Sequence, residues 1–441
     1  MEAVNNAKLL KEKILNHTAA VAVIGLGYVG LPMAIEQARR GFRVVGVDRD
    51  EKKVAMINNG QSYIRDVPGE VLRPLVEQGR LRALNSYEEA SRADIMVICV
   101  PTPLKSMQPD LSCITSAAGE IAGAIRPGRL VCLESTTFPG TTEEIVLPAL
   151  EATGLVVGRD FFLAFSPERI DPGNKQIPLR EIAKVVGGVT PQCRDLACAF
   201  YARVFSSVIP VSSPAAAEMT KIYENTYRSV NIALVNEFML LCDKMGLDVW
   251  EILDAAATKP FGIQIFYPGP GVGGHCIPVD PVYLAWKARA YQFPPRFIEL
   301  AAELNNQATE HVMQKITAVL NDRGKCLKDA KVLVLGVAYK KDIDDVRESP
   351  ALRLIELLLD KKADVKYYDP HVPQIILPAA GGLMQSVPPA CNHFAGADIV
   401  LIITDHSCVD YQQIVTWSRL VIDTRNATRL VTGGREKIIK I

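Results

Sequence analysis

From Val21 to Asp48 the chain passes through a short apolar stretch (Val21 to Ile24), the hexapeptide Gly25-Leu26-Gly27-Tyr28-Val29-Gly30, a helical apolar period through Ala38, and a second apolar stretch (Val44 to Val47) closed by an acid. Strand, glycine turn, helix, strand and terminal carboxylate within about thirty residues is the arrangement that binds a dinucleotide, and each glycine has its own task. Gly25 permits a tight turn, Gly27 lets a pyrophosphate approach the backbone where the helix begins, and Gly30 lets helix and strand pack closely. Tyr28 and Val29 complete the turn. Asp48 is placed to accept hydrogen bonds from the adenosine ribose, and its charge would repel a 2′-phosphate, which favours NAD. Arg49, directly after it, is the kind of side chain that welcomes such a phosphate, so the residues alone leave NADP open.

At 441 residues the chain is too long for one ordinary core and implies two or three domains. Lys plus Arg (49) equals Asp plus Glu (49), with no long run of either sign, so neither a nucleic-acid surface nor a polybasic membrane patch is expected. An anionic ligand must therefore be held by a few local cations. Met1 to Thr18 is polar and charged, and no run of about eighteen apolar residues follows, so a cytoplasmic protein is expected. The ten cysteines are scattered singly, as reduced thiols would be, and the closest pair, Cys193 and Cys198, lacks the partners of a zinc site; no metal is expected.

Further strands are expected at Ile95 to Val100, Leu130 to Leu133, Phe161 to Phe165 and Lys184 to Val186. Three end in polar or proline-marked loops: Pro101-Thr102-Pro103, Glu134 to Gly140, and Ser166-Pro167-Glu168-Arg169-Ile170-Asp171-Pro172-Gly173. Loops at strand carboxyl ends are where open α/β sheets bind ligands. Ser213-Pro214 has the N-cap and first-turn residues of a helix that Gly246 would stop, about thirty residues and roughly 45 Å long. On it Lys221, Asn225 and Arg228 share a face, among apolar neighbours (Met219, Ile222, Tyr223, Tyr227, Leu234) that predict burial on most sides. Phe297 to Lys315 reads as another helix. A second α/β pattern then begins, with strands at Val332 to Leu335, Val365 to Tyr368 closed by Asp369, Ile399 to Ile403 and Leu420 to Ile422. Gly336-Val337-Ala338 lacks the second glycine, so only the first sheet is built for a dinucleotide. Lys340, Lys341, Arg347 and Arg425 lie at the strand ends of the second, as phosphate-binding cations would. The expected architecture is α/β, two Rossmann-like doubly wound sheets joined by a long central helix and a small helical domain, divided as 1–212, 213–322 and 323–441.

Gly269 to Pro281 reads Gly-Pro-Gly-Val-Gly-Gly-His-Cys-Ile-Pro-Val-Asp-Pro, a shaped loop around Cys276. With no β-carbon on Gly273 or Gly274, a ligand is expected to reach the sulfur from the glycine side. A hydride-accepting sheet combined with an accessible cysteine points to oxidation through an aldehyde held as a thiohemiacetal, which loses a second hydride to become a thioester that water cleaves to an acid. A dehydrogenase that stops at an aldehyde, or a β-hydroxyacid dehydrogenase working from a helix lysine, needs no such cysteine. The basic strand ends suit the diphosphate of a nucleotide sugar.

Seven motifs in order, Gly25 to Gly30 with Asp48, Val100-Pro-Thr102-Pro, Ser135-Thr136, Ser166-Pro-Glu168, Glu218-Met-Thr-Lys221-x-x-x-Asn225, Gly273-Gly-His-Cys276-x-x-x-Asp280, and Gly336-x-Ala-Tyr-Lys340 running to Arg347-Glu-Ser, resemble the UDP-sugar 6-dehydrogenases over nearly the whole chain. The resemblance implies oxidation of a sugar C6 hydroxyl to a carboxylate with two NAD, in a homodimer or higher oligomer built on the central helix. Glu168-Arg169-Ile-Asp-Pro172-Gly173-Asn174 and the cysteine loop are similar to the branch acting on UDP-N-acetylglucosamine, with UDP-N-acetylmannosamine and UDP-glucose as the alternatives. By the same resemblance Cys276 is the nucleophile, Lys221 a base or an electrostatic stabiliser near the C6 oxygen, and Asn225 an orienting donor. Asp280 sets the local protonation pattern, Glu168 serves thioester hydrolysis, and Thr136 belongs to the catalytic set. Lys53, Thr102, Thr136 and Arg347 are implied as cofactor contacts; Arg169, Tyr267, Gly271, Gly273, Lys340 and Arg425, with Lys221 and Asn225, as substrate contacts.

Overall fold

The computed structural model describes residues 2–64, 67–106, 108–169 and 177–441. They divide into two units, Met1–Glu224 with Trp286–Gln292, and Asn225–Ala285 with Phe293–Ile441.

In the first unit eight strands form one sheet: β1 (Ala20–Ile24), β2 (Arg43–Val47), β3 (Leu81–Leu84), β4 (Ile95–Ile98), β5 (Arg129–Leu133), β6 (Phe161–Phe165), β7 (Lys184–Gly188) and β8 (Val208–Val211), in the order β8-β7-β6-β5-β4-β1-β2-β3. The strands run parallel except where β7 meets β6 antiparallel. Consecutive strands lie on opposite sides of β1, so the order reverses between β1 and β4, and the loops leaving these two strands flank the switch point. Both faces are covered: Val21 and Val23 sit in one apolar cluster, Ala22 and Ile24 in the other. Continuous apolar runs such as Ile95–Ile98 are therefore fully buried, as parallel strands require.

The second unit repeats the plan with five parallel strands, β9 (Lys331–Leu335), β10 (Asp364–Tyr368), β11 (Ile399–Ile402), β12 (Val421–Asp423) and β13 (Ile438–Lys440), ordered β10-β9-β11-β12-β13. Its switch point lies between β9 and β11.

The long helix spans Pro214–Met245. Ser213 Oγ accepts the Ala216 N–H at 3.2 Å, and Gly246 (φ 70°) ends it, with the Leu247 N–H reaching back to the Cys242 carbonyl. Both ends thus follow from cap chemistry. The expectation that this helix is buried on most sides is corrected: Tyr223 is 66% and Leu234 62% exposed, with Tyr227, Phe238, Leu241 and Met245 also open to solvent. Ile222, Ala233 and Val235 are buried, so the core takes one face and the chain leaves an apolar stripe on the other.

Candidate active site

In the first unit the glycine turn does what its spacing demands. Gly25 has φ 91°, and a β-carbon there would lie 2.6 Å from the Cys99 carbonyl oxygen. One on Gly30 would collide with the Gly25 carbonyl oxygen, whereas one on Gly27 would meet nothing within 4 Å. Two glycines are filled by the fold and the third faces open space, the pattern expected where a diphosphate approaches the backbone. Asp48 is pinned by the Leu26 and Asp50 N–H groups, both 3.0 Å from its carboxylate, with Lys53 Nζ at 3.9 Å. Arg49 turns away to Ser116 Oγ at 2.6 Å. Tyr28 is exposed, while Val29 packs against the core beneath.

The loops after β4 and β5 are tied together. Thr102 Oγ1 donates to the Thr136 carbonyl at 2.6 Å and Ser135 Oγ to the Val100 carbonyl at 2.7 Å. Glu218, on the first turns of the long helix, accepts from the Gly140 N–H (2.5 Å), the Thr142 N–H (2.9 Å) and the Thr142 hydroxyl (2.7 Å). Its carboxylate thereby caps the segment that follows Thr136; burial pushes its pKa up against these bonds. Glu168 is buried at the end of β6. Arg169, expected at the substrate, makes a two-pronged ion pair with Glu224 and donates to the Ala183 carbonyl. The remainder of that motif, Ile170 to Asn174, lies outside the described residues. Lys221 is buried one turn before Asn225 on the long helix.

In the second unit Asn225 Nδ2 donates to the Asp280 carboxylate at 2.6 Å, and the Cys276 carbonyl accepts the Asp280 N–H at 2.8 Å, where the loop enters the helix Asp280–Ala290. Asn225 and Asp280 are buried, and Cys276 is half-buried. The loop is held by polar groups that sequence reasoning missed. Buried Asn236 accepts the Gly269 N–H and donates to Asn305, and Thr309 Oγ1 donates to the Pro270 carbonyl. Their signal was present, polar side chains at apolar-face positions of two long helices, but it cannot be told from a solvated stripe without the fold.

The glycine side of this loop is not an open approach, which corrects the expectation drawn from the sequence. A β-carbon on Gly273 would lie 2.7 Å from both the Glu348 carbonyl and Tyr339 Cβ, one on Gly274 2.9 Å from the Tyr339 ring, and one on Gly271 (φ 131°) 2.7 Å from Thr309 Oγ1. The glycines let the loop pack against Tyr339-to-Pro350, with the Gly274 N–H bonded to the Arg347 carbonyl at 3.0 Å. Arg347 itself spends its guanidinium on Asp345. Arg425 reaches Gly269 and donates to the Ile403 carbonyl, and half-buried Lys340 follows β9 on the Tyr339 loop. Tyr267 bonds Asp254 at 2.9 Å and stacks on Trp250. Lys340, Arg425 and the cysteine loop therefore converge on the carboxyl ends of β9, β11 and β12.

Among the described residues, Asp342, His371 and His406 form a group whose ligand atoms lie within 4.8 Å of one another. His406 accepts the Asp342 N–H on Nδ1 (3.0 Å), which leaves Nε2 to donate to buried Asp369 (3.1 Å). Both ring nitrogens are thus used in latching three strand-end loops.

Residues 19–205 match the NAD binding domain of the UDP-glucose/GDP-mannose dehydrogenase family, 215–307 its central domain and 333–430 its UDP binding domain. A UDP-N-acetyl-D-mannosamine dehydrogenase of Pyrococcus horikoshii is 36% identical over 414 residues, covering 92% of this chain and 95% of the relative. The chain belongs to this family. An NDP-N-acetyl-D-galactosaminuronic acid dehydrogenase of Ralstonia nicotianae is also 36% identical, over 420 residues, with 92% and 95% covered. The solved structure of the UDP-D-ManNAc dehydrogenase from Pyrococcus horikoshii superposes with a TM-score of 0.86 at 33% identity, covering 96% of this chain and 98% of that one. The chain is an NAD-dependent nucleotide-sugar dehydrogenase of this family, and Gly27, with open space where a β-carbon would stand, fits its cofactor. No helix among the described residues is long and apolar enough to cross a membrane.

Proposed function

We propose that this protein oxidises C6 of UDP-N-acetylglucosamine to a carboxylate in two hydride transfers. Residues 1–212 would serve NAD, 213–322 the cysteine chemistry and 323–441 the UDP moiety. The observation that carries this reading is that buried Asn225 is hydrogen-bonded to buried Asp280, whose N–H is held by the carbonyl of half-buried Cys276 where the loop enters a helix. NAD, when bound, accepts the hydride in each oxidation. Lys221 takes up or holds the proton leaving the C6 hydroxyl, and the second N–H of Asn225 is available to the C6 oxygen as charge develops there. The Cys276 sulfur adds to the aldehyde carbon, and the thiohemiacetal hydroxyl loses its proton as the thioester forms. Water then adds to the thioester carbonyl, Glu168 takes a proton from it, the C–S bond breaks and the thiol is restored. Lys340 and Arg425 suit the diphosphate.

Two NADH per sugar are expected, with the highest kcat/KM on UDP-N-acetylglucosamine in a panel that includes the N-acetylmannosamine, N-acetylgalactosamine and glucose compounds. One NADH per sugar with released aldehyde would sink the four-electron reading. A second reading, UDP-N-acetylmannosamine, is supported by the relatives named above. C2 epimers differ by few contacts, so a preference of about tenfold in kcat/KM for the mannosamine compound would replace the first substrate by the second.

A homodimer accompanies this function. Tyr227, Leu234, Phe238, Leu241 and Met245 recur at heptad-like spacing on the exposed side of the long helix, and such a seam is apolar surface that a second copy would bury. Sedimentation should give a dimer, and Leu234→Glu/Leu241→Glu a monomer; a monomeric wild type at micromolar concentration removes the dimer.

A further inference from the structure

Lys184 opens β7 with its side chain 4% exposed, and its ammonium donates to Glu134 Oε2 at 2.8 Å and to the Pro167 carbonyl at 3.2 Å. Glu134, wholly buried, accepts the Tyr201 hydroxyl on its other oxygen at 2.6 Å, and the ammonium lies 5.3 Å from the ring centres of both Tyr201 and Phe205. A buried ion pair is an expensive structural element that an apolar pair of the same shape could replace, so its position asks for a reason. Glu134 is the first residue after β5, two before Thr136, and Pro167 immediately precedes Glu168. The pair therefore rivets the two strand-end loops that carry these residues. Lys184 and Glu168 also line one cavity of about 10 Å³, the room of roughly one water. Burial alone would lower the pKa of the ammonium, but the carboxylates of Glu134 and then Glu168 outweigh it and hold the cation charged.

We propose that Lys184 is a positioning residue for thioester hydrolysis, fixing the Glu168 carboxylate through the Pro167 carbonyl and through its own charge, while Glu134 neutralises it and ties it to the Thr136 loop. The proposal rests on the role given to Glu168 above. The step itself is unchanged: water oxygen bonds the acyl carbon, the C–S bond breaks, and Glu168 receives the proton. Lys184 transfers nothing. Its part is to hold the loop, and with it the Glu168 carboxylate, in place for that proton transfer.

The test uses Lys184→Met and the double variant Glu134→Gln/Lys184→Met, which removes both buried charges and avoids leaving one unpaired. Each variant that keeps the wild-type circular dichroism and NAD affinity is read in rapid-quench and steady-state assays. Expected are an unchanged KM and an unchanged first burst of two NADH per site. Steady-state kcat should fall roughly ten- to a hundredfold, and the acyl adduct on Cys276 should accumulate by intact mass. A burst that slows in parallel with kcat, or a kcat like the wild type with no accumulated adduct, overturns the proposal. If both variants unfold, Tyr201→Phe, which frees one Glu134 oxygen while keeping the ion pair, must leave the steady-state kcat near wild type with no accumulated adduct; a tenfold fall would assign the effect to Glu134 and overturn the role of the cation. The reading beneath it fails separately: wild type that forms no acyl adduct or only one NADH per sugar refutes the role of Glu168, whatever the variants do.

Discussion

Cys276→Ser should lower formation of the acid by about 10³-fold or more while leaving NAD affinity unchanged. The serine hydroxyl occupies nearly the same space on a loop whose shape is set by other groups, the Gly274–Arg347 and Gly269–Asn236 backbone bonds and the Thr309–Pro270 bond, so the fold should survive. What is lost is a sulfur nucleophile: a hydroxyl is scarcely ionised at neutral pH, and the aldehyde then has no covalent anchor from which to give up a second hydride. The measurement is NADH per sugar with hydroxylamine present to trap aldehyde, expected at one or below with trapped aldehyde. Full turnover to the acid in this variant would remove the covalent step.

Gly30→Ala is expected to cost about 4 kcal/mol or more in stability and to abolish NAD binding, because the added methyl would collide with the Gly25 carbonyl oxygen and press on Cys99 Cβ. Neither neighbour can yield cheaply, since Gly25 is itself held by its N–H to the Val47 carbonyl (2.8 Å) and by a positive φ. Gly27→Ala is the contrasting variant. Its methyl would meet no protein atom within 4 Å, so thermal unfolding should match the wild type while NAD affinity drops at least about tenfold. Thermal melts with and without NAD separate the two glycines. Equal NAD-induced shifts in Gly27→Ala and wild type would show that the open side of Gly27 is not where the diphosphate lies.

Much of the fold was legible. The fingerprint, the long helix with both its caps, and most buried strands of the two sheets declare themselves because their signals are local: a turn residue, an N-cap, a run of apolar side chains. The misses have equally local causes. Val208–Val211 contains Pro210, which reads as a break, yet it sits on the sheet edge where a missing N–H is tolerated. Leu81–Leu84 carries an arginine and an alanine, and its alternation is too short to stand out. The helix Glu2–Leu15 looks polar until Ala7, Leu10 and Ile14 are seen buried along one face.

The sequence by itself determined which chemistry was in reach: a dinucleotide turn, a cysteine in a glycine-rich loop, a lysine and an asparagine one helical turn apart. Spacing of three to seven residues is enough to place such groups on one turn or one face. Only the tertiary structure decided what the glycines of the cysteine loop are for, where Arg169 and Arg347 spend their charge, and which side of the long helix stays bare. It also decided that Lys184, a strand residue by pattern, closes a buried ion pair between two loops. Glu134 and Lys184 are fifty positions apart, and no local propensity reports a partner at that distance. Burial sets the cost of leaving such a charge alone, and burial is a property of the packed chain.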